Sequence, residues 1–588
     1  MSRKLRQVLG LLAVLIASTP TAQADTAADR AFQRQFGDAF FDRYWQLHPD
    51  YAITVGYYKY ADRLIVPDER ARAAELAQLD RWSQQLHRID PENLSPSVRA
   101  DWAMLDNSFA SDRWSLTEYR AWEWNPAVYN VADPLGLLLS LEYAPAEERL
   151  RTFLERLENV PAYYAAARSN VRNPTREHTQ LAIEQNRGAL GVLGEQLEQR
   201  VVASSLTSAE RAVLEQRVAA ARKAIEDYVA WLEALDVELA DGNVAPRSFR
   251  IGRDAYAKKF EFDIQSGGTA EALYARAQEE KERLLTRMGL LSDLLWPKYF
   301  PNTAPPADRF DKIGRLIAKL SEQHVARENL VAAVEEQIPD LERWVRDHDL
   351  LTLDPEKPLQ VRETPLYKRG IAGASIDSPG PYDPMAPTYY NVTPLDDLSE
   401  ERAESWLREY NAWMLPILNI HEAVPGHYVQ LIYANKSPSL IKAIFGNGAM
   451  IEGWAVYAER MMLESGYGDD KAEFWLIYSK WNLRSVCNTI LDYGVHVLGM
   501  SEQDVLTLLT HDAFQTQQEA AEKWRRVTLT SVQLASYFSG YSAILDLRER
   551  LKRERGRSFD LKRFHEQFLS YGSAPVKTIR ELMEAGVR

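Results

Sequence analysis

From Ala28 to about Ser292, apolar residues recur at three- and four-residue intervals between charged faces. On a helix of about 3.6 residues per turn that spacing gathers them on one side, so the segment reads as almost wholly helical. "ERARAAELAQLDRWSQQLHRI" and "AERAVLEQRVAAARKAIEDYVAWLEAL" carry the pattern most clearly. The run Leu206-Thr207-Ser208-Ala209-Glu210 adds a start signal, a hydroxyl cap with an early acid. "LWPKYFPNTAPPADRF", from Leu295 to Phe310, predicts a proline-rich break, after which helix returns. Between Leu351 and Pro394 the chain is rich in Pro, Gly, Thr and Tyr, which predicts short strands and loops. Helix resumes at Glu400 and continues to the C-terminus. The expectation is a mainly α fold: residues 25–588 as a single large domain, with a helical scaffold over 25–350 and a second half over 351–588.

The first residues stand apart from this pattern. Arg3, Lys4 and Arg6 precede the apolar run "VLGLLAVLIA", and "TAQA" ends at Ala24 with small residues. This is the layout of a secretory signal peptide, and the run is too short to span a bilayer comfortably. The expectation is export to a periplasm or beyond, with cleavage after Ala24 and no membrane anchor afterwards. No cysteine follows the apolar run, which speaks against a lipid-modified N-terminus.

Composition narrows the function classes. With 46% hydrophobic residues and 15 Trp, 28 Tyr and 18 Phe, the chain has ample surface for a packed core. Its formal net charge is -14, and loss of residues 1–24 would make it more acidic. Such a chain is a poor partner for nucleic acid or an anionic membrane. Cys487 is the only cysteine, so no intramolecular disulfide forms. Its setting, "SVCNTIL", reads as an apolar helix interior where a thiol is simply packed.

The chemistry concentrates in "HEAVPGH", His421 to His427, set in the apolar stretch "WMLPILNIHEAVPGHYVQLIY". It begins like the metalloprotease signature H-E-x-x-H, but the second histidine comes two residues late. An i, i+6 pair on a regular helix is offset by roughly 240°, so the two imidazoles would diverge. Pro425 and Gly426 supply a remedy. Proline cannot continue the hydrogen-bond ladder and glycine frees the backbone, so a kink or bulge absorbing two residues would let His427 rejoin His421. Glu422 stands where the signature keeps its general base. Glu452, in "MIEGWAVYAER", is an acid in an otherwise apolar helical stretch. Two His and one Glu are a standard catalytic zinc set with a position left for water, so His421, His427 and Glu452 are the expected ligands of one Zn²⁺. The plainer alternative for Glu452 is an acid near a helix start, where the helix dipole favours it.

"HEAVPGHYVQ" followed by "EGWAVYAE" resembles the bacterial domain-of-unknown-function 885 family, with its pattern HEAxPGHxxQ and then EGWAxYxE. "YWQLHPDYAITVGYY", "DYGVH" and "QLASYFSGYSAILDLRERL" extend the resemblance over nearly all of the chain. It implies a helical, zincin-like metallopeptidase fold with a deep cleft, in which His421, His427 and Glu452 hold zinc and Glu422 is the base. Where that pattern has an Arg four residues before Asp492, this chain has Asn488; Arg484, one turn earlier, is the candidate to replace it in holding a substrate carboxylate.

Weaker candidates complete the set. Asp492 and His496, at i, i+4, read either as support or oxyanion donors beside the metal or as a buried polar pair. Tyr537 is a candidate oxyanion donor, and Tyr541, at i, i+4 from it, a candidate substrate contact, although aromatics at helical spacing are usually core. Tyr389 and Tyr390 are placed to line a cleft, and Glu459 is a candidate to support a metal ligand from behind. The expected function is an exported zinc-dependent hydrolase acting on short peptides. The same ligands would serve hydrolysis of a non-peptide ester or amide, and a catalytically inactive metal-binding protein would have no need of Glu422.

Overall fold

The computed structural model describes residues 26–365 and 373–586. The candidate leader, residues 1–24, lies outside them. At Thr207 the start signal works as the sequence predicts. Thr207 Oγ1 accepts the Glu210 N–H at 3.2 Å, and the Glu210 carboxylate accepts the Thr207 N–H at 2.7 Å. Two orphan N–H groups are thereby satisfied, opening the helix Ser208–Ala240. The described residues are 70% helix and 3% strand, a mainly α fold.

The proline-rich break begins later than the sequence implies. The helix Ala270–Tyr299 runs through Pro297, and the interruption covers 300–308 before Asp308 caps the helix Arg309–Leu320. Proline in a last turn forfeits a single bond, whereas Leu295 and Trp296 are buried and Trp296 Nε1 donates to Thr303 O at 2.7 Å. Packing outweighs the lost bond.

The segment 351–394 does form strands: β1 (Leu359–Glu363), β2 (Ala374–Asp377) and β3 (Thr388–Val392). β3 is central, parallel to β1 with Leu359 opposite Thr388, and antiparallel to β2 with Ala374 opposite Val392.

Six helices carry the chemistry: α1 (Leu415–Glu422), α2 (His427–Asn435), α3 (Gly448–Glu464), α4 (Ala472–His496), α5 (Gln517–Leu529) and α6 (Ser536–Arg555). α3 and α6 form the most intimate pair. A Cβ on Gly453 would lie 2.6 Å from Tyr541 N, and one on Gly540 would lie 2.8 Å from Gly453 Cα. Only two facing glycines allow the backbones this close, and the approach brings α6 alongside Glu452.

The main core crosses position 350, joining Phe40, Trp82, Phe109 and Met288 to Trp454, Tyr457, Val486 and Phe538. A second core, from Ile53 to Leu232, lies within the helical scaffold. Cys487 is fully buried, as its apolar setting predicts, and burial pushes its thiol up to about 12. Among the described residues no helix is long and apolar enough to cross a membrane.

Candidate metal centre

The HEAVPGH stretch is not a bulged helix. α1 ends at Glu422 and α2 begins at His427, with Ala423 to Gly426 forming a tight turn whose Val424–Pro425 peptide bond is cis. Ala423 and Val424 N–H both donate to Asn419 O, at 2.9 and 3.2 Å, and Gly426 N–H donates to Ile420 O at 2.9 Å. Proline has no N–H to continue the ladder, so the turn closes back on α1 and the helix starts anew. The expected outcome is nonetheless reached. The His421 and His427 rings lie 4.8 Å apart, perpendicular to each other.

Glu452 arrives from α3. Its Oε2 is 3.4 Å from His427 Nε2 and 3.9 Å from His421 Nε2, and one donor atom from each of the three residues lies within 4.8 Å of the others. Ligand atoms around a tetrahedral zinc with bonds of about 2.0–2.1 Å stand about 3.4 Å apart. The donor set and spacing fit one such ion with little adjustment. His421 is buried, while His427 and Glu452 keep 14% and 21% of their side chains accessible, so the centre is open on their side.

The EGWAVYAE stretch builds this centre residue by residue. Trp454 Nε1 donates to Pro425 O at 2.8 Å, tying the turn to α3. Two turns after Glu452, the fully buried Glu459 Oε1 accepts from Trp481 Nε1 at 2.9 Å and meets His421 Nδ1 at 2.7 Å. That contact leaves His421 Nε2 to face the centre. Burial pushes Glu459 well above the usual carboxyl range. Burial and the neighbouring His427 push His421 down to about 4. Burial alone would lower His427, but its hydrogen bond to Glu452 and the surrounding carboxylates lift it above its ordinary value. Glu422 is partly exposed, makes no hydrogen bond among the described residues, and is raised by burial. It is a free carboxylate beside the ligands.

Tyr537, on α6, is partly exposed, and Glu452 is among the charges acting on it. Its hydroxyl accepts from Arg526 Nη2 at 3.1 Å, which leaves the phenol proton free to donate. Arg484, on α4, lies near enough to act on His421 and pairs with Glu519 at 3.1 Å.

Four expectations are corrected. Tyr390 is fully buried and spends its hydroxyl on Asn419 Oδ1 at 2.8 Å, bracing α1 from behind; Tyr389, the neighbour across the pleat, is the partly exposed one. Tyr541 is also buried, its hydroxyl accepting from Arg460 Nη1 at 2.9 Å, which removes it from substrate contact. His496 is no catalyst: its Nε2 lies 2.9 and 2.8 Å from the carbonyls of Val527 and Thr530. Asp492 accepts the N–H groups of Val532 and Leu534, both at 3.0 Å, and so touches no ligand of the metal. This pair holds the turn before α6, where Val532 takes a left-handed φ of 67° that a β-branched residue avoids. They position Tyr537 at a distance.

Sequence reasoning missed Trp481, Lys523 and Arg526. The last two lie on one face of α5 with Glu519, at spacings that an isolated sequence assigns to a solvated charged face.

With this geometry in place, comparison with known proteins decides the family. The family of bacterial proteins of unknown function designated DUF885 matches residues 49–583. The chain belongs to this family. A solved structure described as a "putative lipoprotein of unknown function" from Shewanella oneidensis is similar over 94% of this chain and 99% of its own, at 50% identity and a TM-score of 0.83. Another, described as a "putative lipoprotein" from Colwellia psychrerythraea, covers 95% of this chain and 99% of its own at 15% identity and TM-score 0.78, a likeness of fold alone. No curated protein matches the chain.

Proposed function

We propose that this DUF885 protein is an exported zinc-dependent peptidase of zincin-like fold acting on short peptides in a cleft over the metal centre. One observation carries the reading: His421, His427 and Glu452 converge from three helices within 4.8 Å, beside an unpaired Glu422. A zinc ion held by these three residues would supply Lewis acidity to a carbonyl and to a water. Glu422 would take a proton from the attacking water and hand it to the leaving amine. Tyr537 donates its phenol proton in a hydrogen bond to the oxygen on which charge develops, with Arg526 fixing its direction. Glu459 holds His421 in the tautomer and orientation that a ligand needs. A purely structural metal site would have no use for Glu422, which binds nothing else in the described chain.

Export is part of the proposal. The leader-like pattern of residues 1–24 supports it, and so does the Shewanella oneidensis relative described as a "putative lipoprotein of unknown function".

Elemental analysis tests the metal assignment. The purified protein should carry one zinc per chain, and His421→Ala or His427→Ala should strip it, because losing one of three ligands leaves an incomplete site. Full zinc in either variant would show that the ligand set is wrong.

A further inference from the structure

α5 places Glu519, Lys523 and Arg526 on one face, and Arg526 on it bonds Tyr537, the tyrosine on which the charge of Glu452 acts. Arg526 is among the charges acting on Glu452, and Glu452, Arg484 and Arg526 are among those acting on Lys523. Three cations therefore stand beside one edge of the site, with Glu519 the one carboxylate paired to them among the described residues. Arg484 takes that carboxylate at 3.1 Å and reaches Tyr410 Oη at 3.4 Å. Arg526 donates to neutral partners, Gln533 Oε1 at 2.9 Å and Tyr537 Oη at 3.1 Å. Lys523 is 4% exposed and donates no hydrogen bond among the described residues. An ammonium without a partner on so nearly buried a side chain is costly, and chains normally neutralise one with a carboxylate. Here Glu452 is turned to the imidazoles and Glu519 to Arg484.

We infer that Lys523 and Arg526, backed by Arg484, form an anchor for the free C-terminal carboxylate of a short peptide, so that cleavage falls near the carboxyl end of the substrate. The inference rests on the peptidase reading above. Burial and the two guanidinium groups push Lys523 well below the ordinary lysine range, and an arriving carboxylate relieves that cost. Every peptide carries one such group, and a charge-assisted pair with it fixes the register of the chain over the metal. An Asp or Glu side chain offers the same chemistry from within a sequence.

The test measures binding to zinc-loaded Glu422→Gln protein. The probe is a mixed-sequence library of N-acetylated short peptides, made once as free acids and once as C-terminal amides. Free acids should bind at least about tenfold tighter than amides. That preference should collapse in a Lys523→Met background and persist in Lys523→Arg. The comparison of acids with amides needs no change in the cluster, so it stands even if Lys523→Met fails to fold. Equal binding of acids and amides that the wild type both cleaves would overturn the anchor and leave the peptidase reading intact. Retention of only those amides that contain Asp or Glu would overturn the C-terminal assignment in favour of a side-chain carboxylate. Library peptides neither bound nor cleaved would sink the anchor and the peptidase reading together.

Discussion

Gly426→Ala is the sharpest test of how the centre is built. An added Cβ would lie 2.5 Å from the carbonyl carbon of His421, and closer still to the oxygens of His421 and Ile420. Ordinary contact begins at 3.4 Å, and the nearest oxygen is closer than that carbon, so the turn must open by more than about 1 Å. The obstructing atoms are backbone of α1 and have no rotamer to escape into. Opening also lengthens the 2.9 Å hydrogen bond from Gly426 N–H to Ile420 O. His427 is the next residue, so its imidazole moves with the turn, while metal–ligand bonds tolerate about 0.2 Å. Loss of a partner behind a ligand typically costs 10–100-fold in affinity. Displacing the ligand itself should reach the upper end, about 10²-fold or ~2.7 kcal/mol. Overpacking should also cost about 1–3 kcal/mol of stability. Competition with a chromophoric chelator reads the affinity, and a thermal melt checks folding. Gly448→Ala is the control, because nothing lies within 4 Å of its added Cβ. A folded Gly426→Ala protein with wild-type zinc affinity would refute the claim that this turn places His427.

Other consequences follow from packing, support and protonation. Gly540→Ala would set a methyl 2.8 Å from Gly453 Cα, so thermal melts should show about 1–3 kcal/mol of destabilisation; an unchanged melting temperature would deny the close approach of α3 and α6. Glu459→Gln should weaken zinc binding about 10–100-fold by chelator competition, and unchanged binding would reduce Glu459 to a packing residue. Burial holds His178 and His565 at about 4 in the folded chain, against 6.5 for a free histidine. Below about pH 6.5 the unfolded chain takes up protons that the folded chain refuses. Stability should therefore fall as pH is lowered from 6.5 towards 4, by about 1.4 kcal/mol per pH unit for each histidine. Urea titrations of the wild type and His565→Gln should differ in that slope, and equal slopes would contradict the assignment.

The sequence made the ligands legible because their spacing carries chemistry. A His-Glu pair followed by a displaced histidine and an isolated acid has few other readings. The local backbone was less legible. Pro425-Gly426 announces a disturbance, but whether a helix bulges or stops depends on where its N–H groups find acceptors. Here Ile420 and Asn419, inside α1, supply them. The roles of Tyr541 and His496 turned on burial, which helical spacing alone does not reveal. Lys523 and Arg526 failed to register for the converse reason: a charged face of a helix normally meets water, and α5 turns this one inward against Arg484 and Glu452. Asp492 was visible as an unusual buried acid, but its partners, the N–H groups of Val532 and Leu534, are 40 and 42 residues away.

The most direct test of a zinc peptidase is turnover of a mixed peptide library by Glu422→Gln protein whose zinc content has been verified. Glutamine preserves the shape of the side chain but cannot accept a proton. The variant should hold full zinc and cleave about 10²-fold or more slowly than wild type. Near-wild-type cleavage by the zinc-loaded variant would rule out Glu422 as the base.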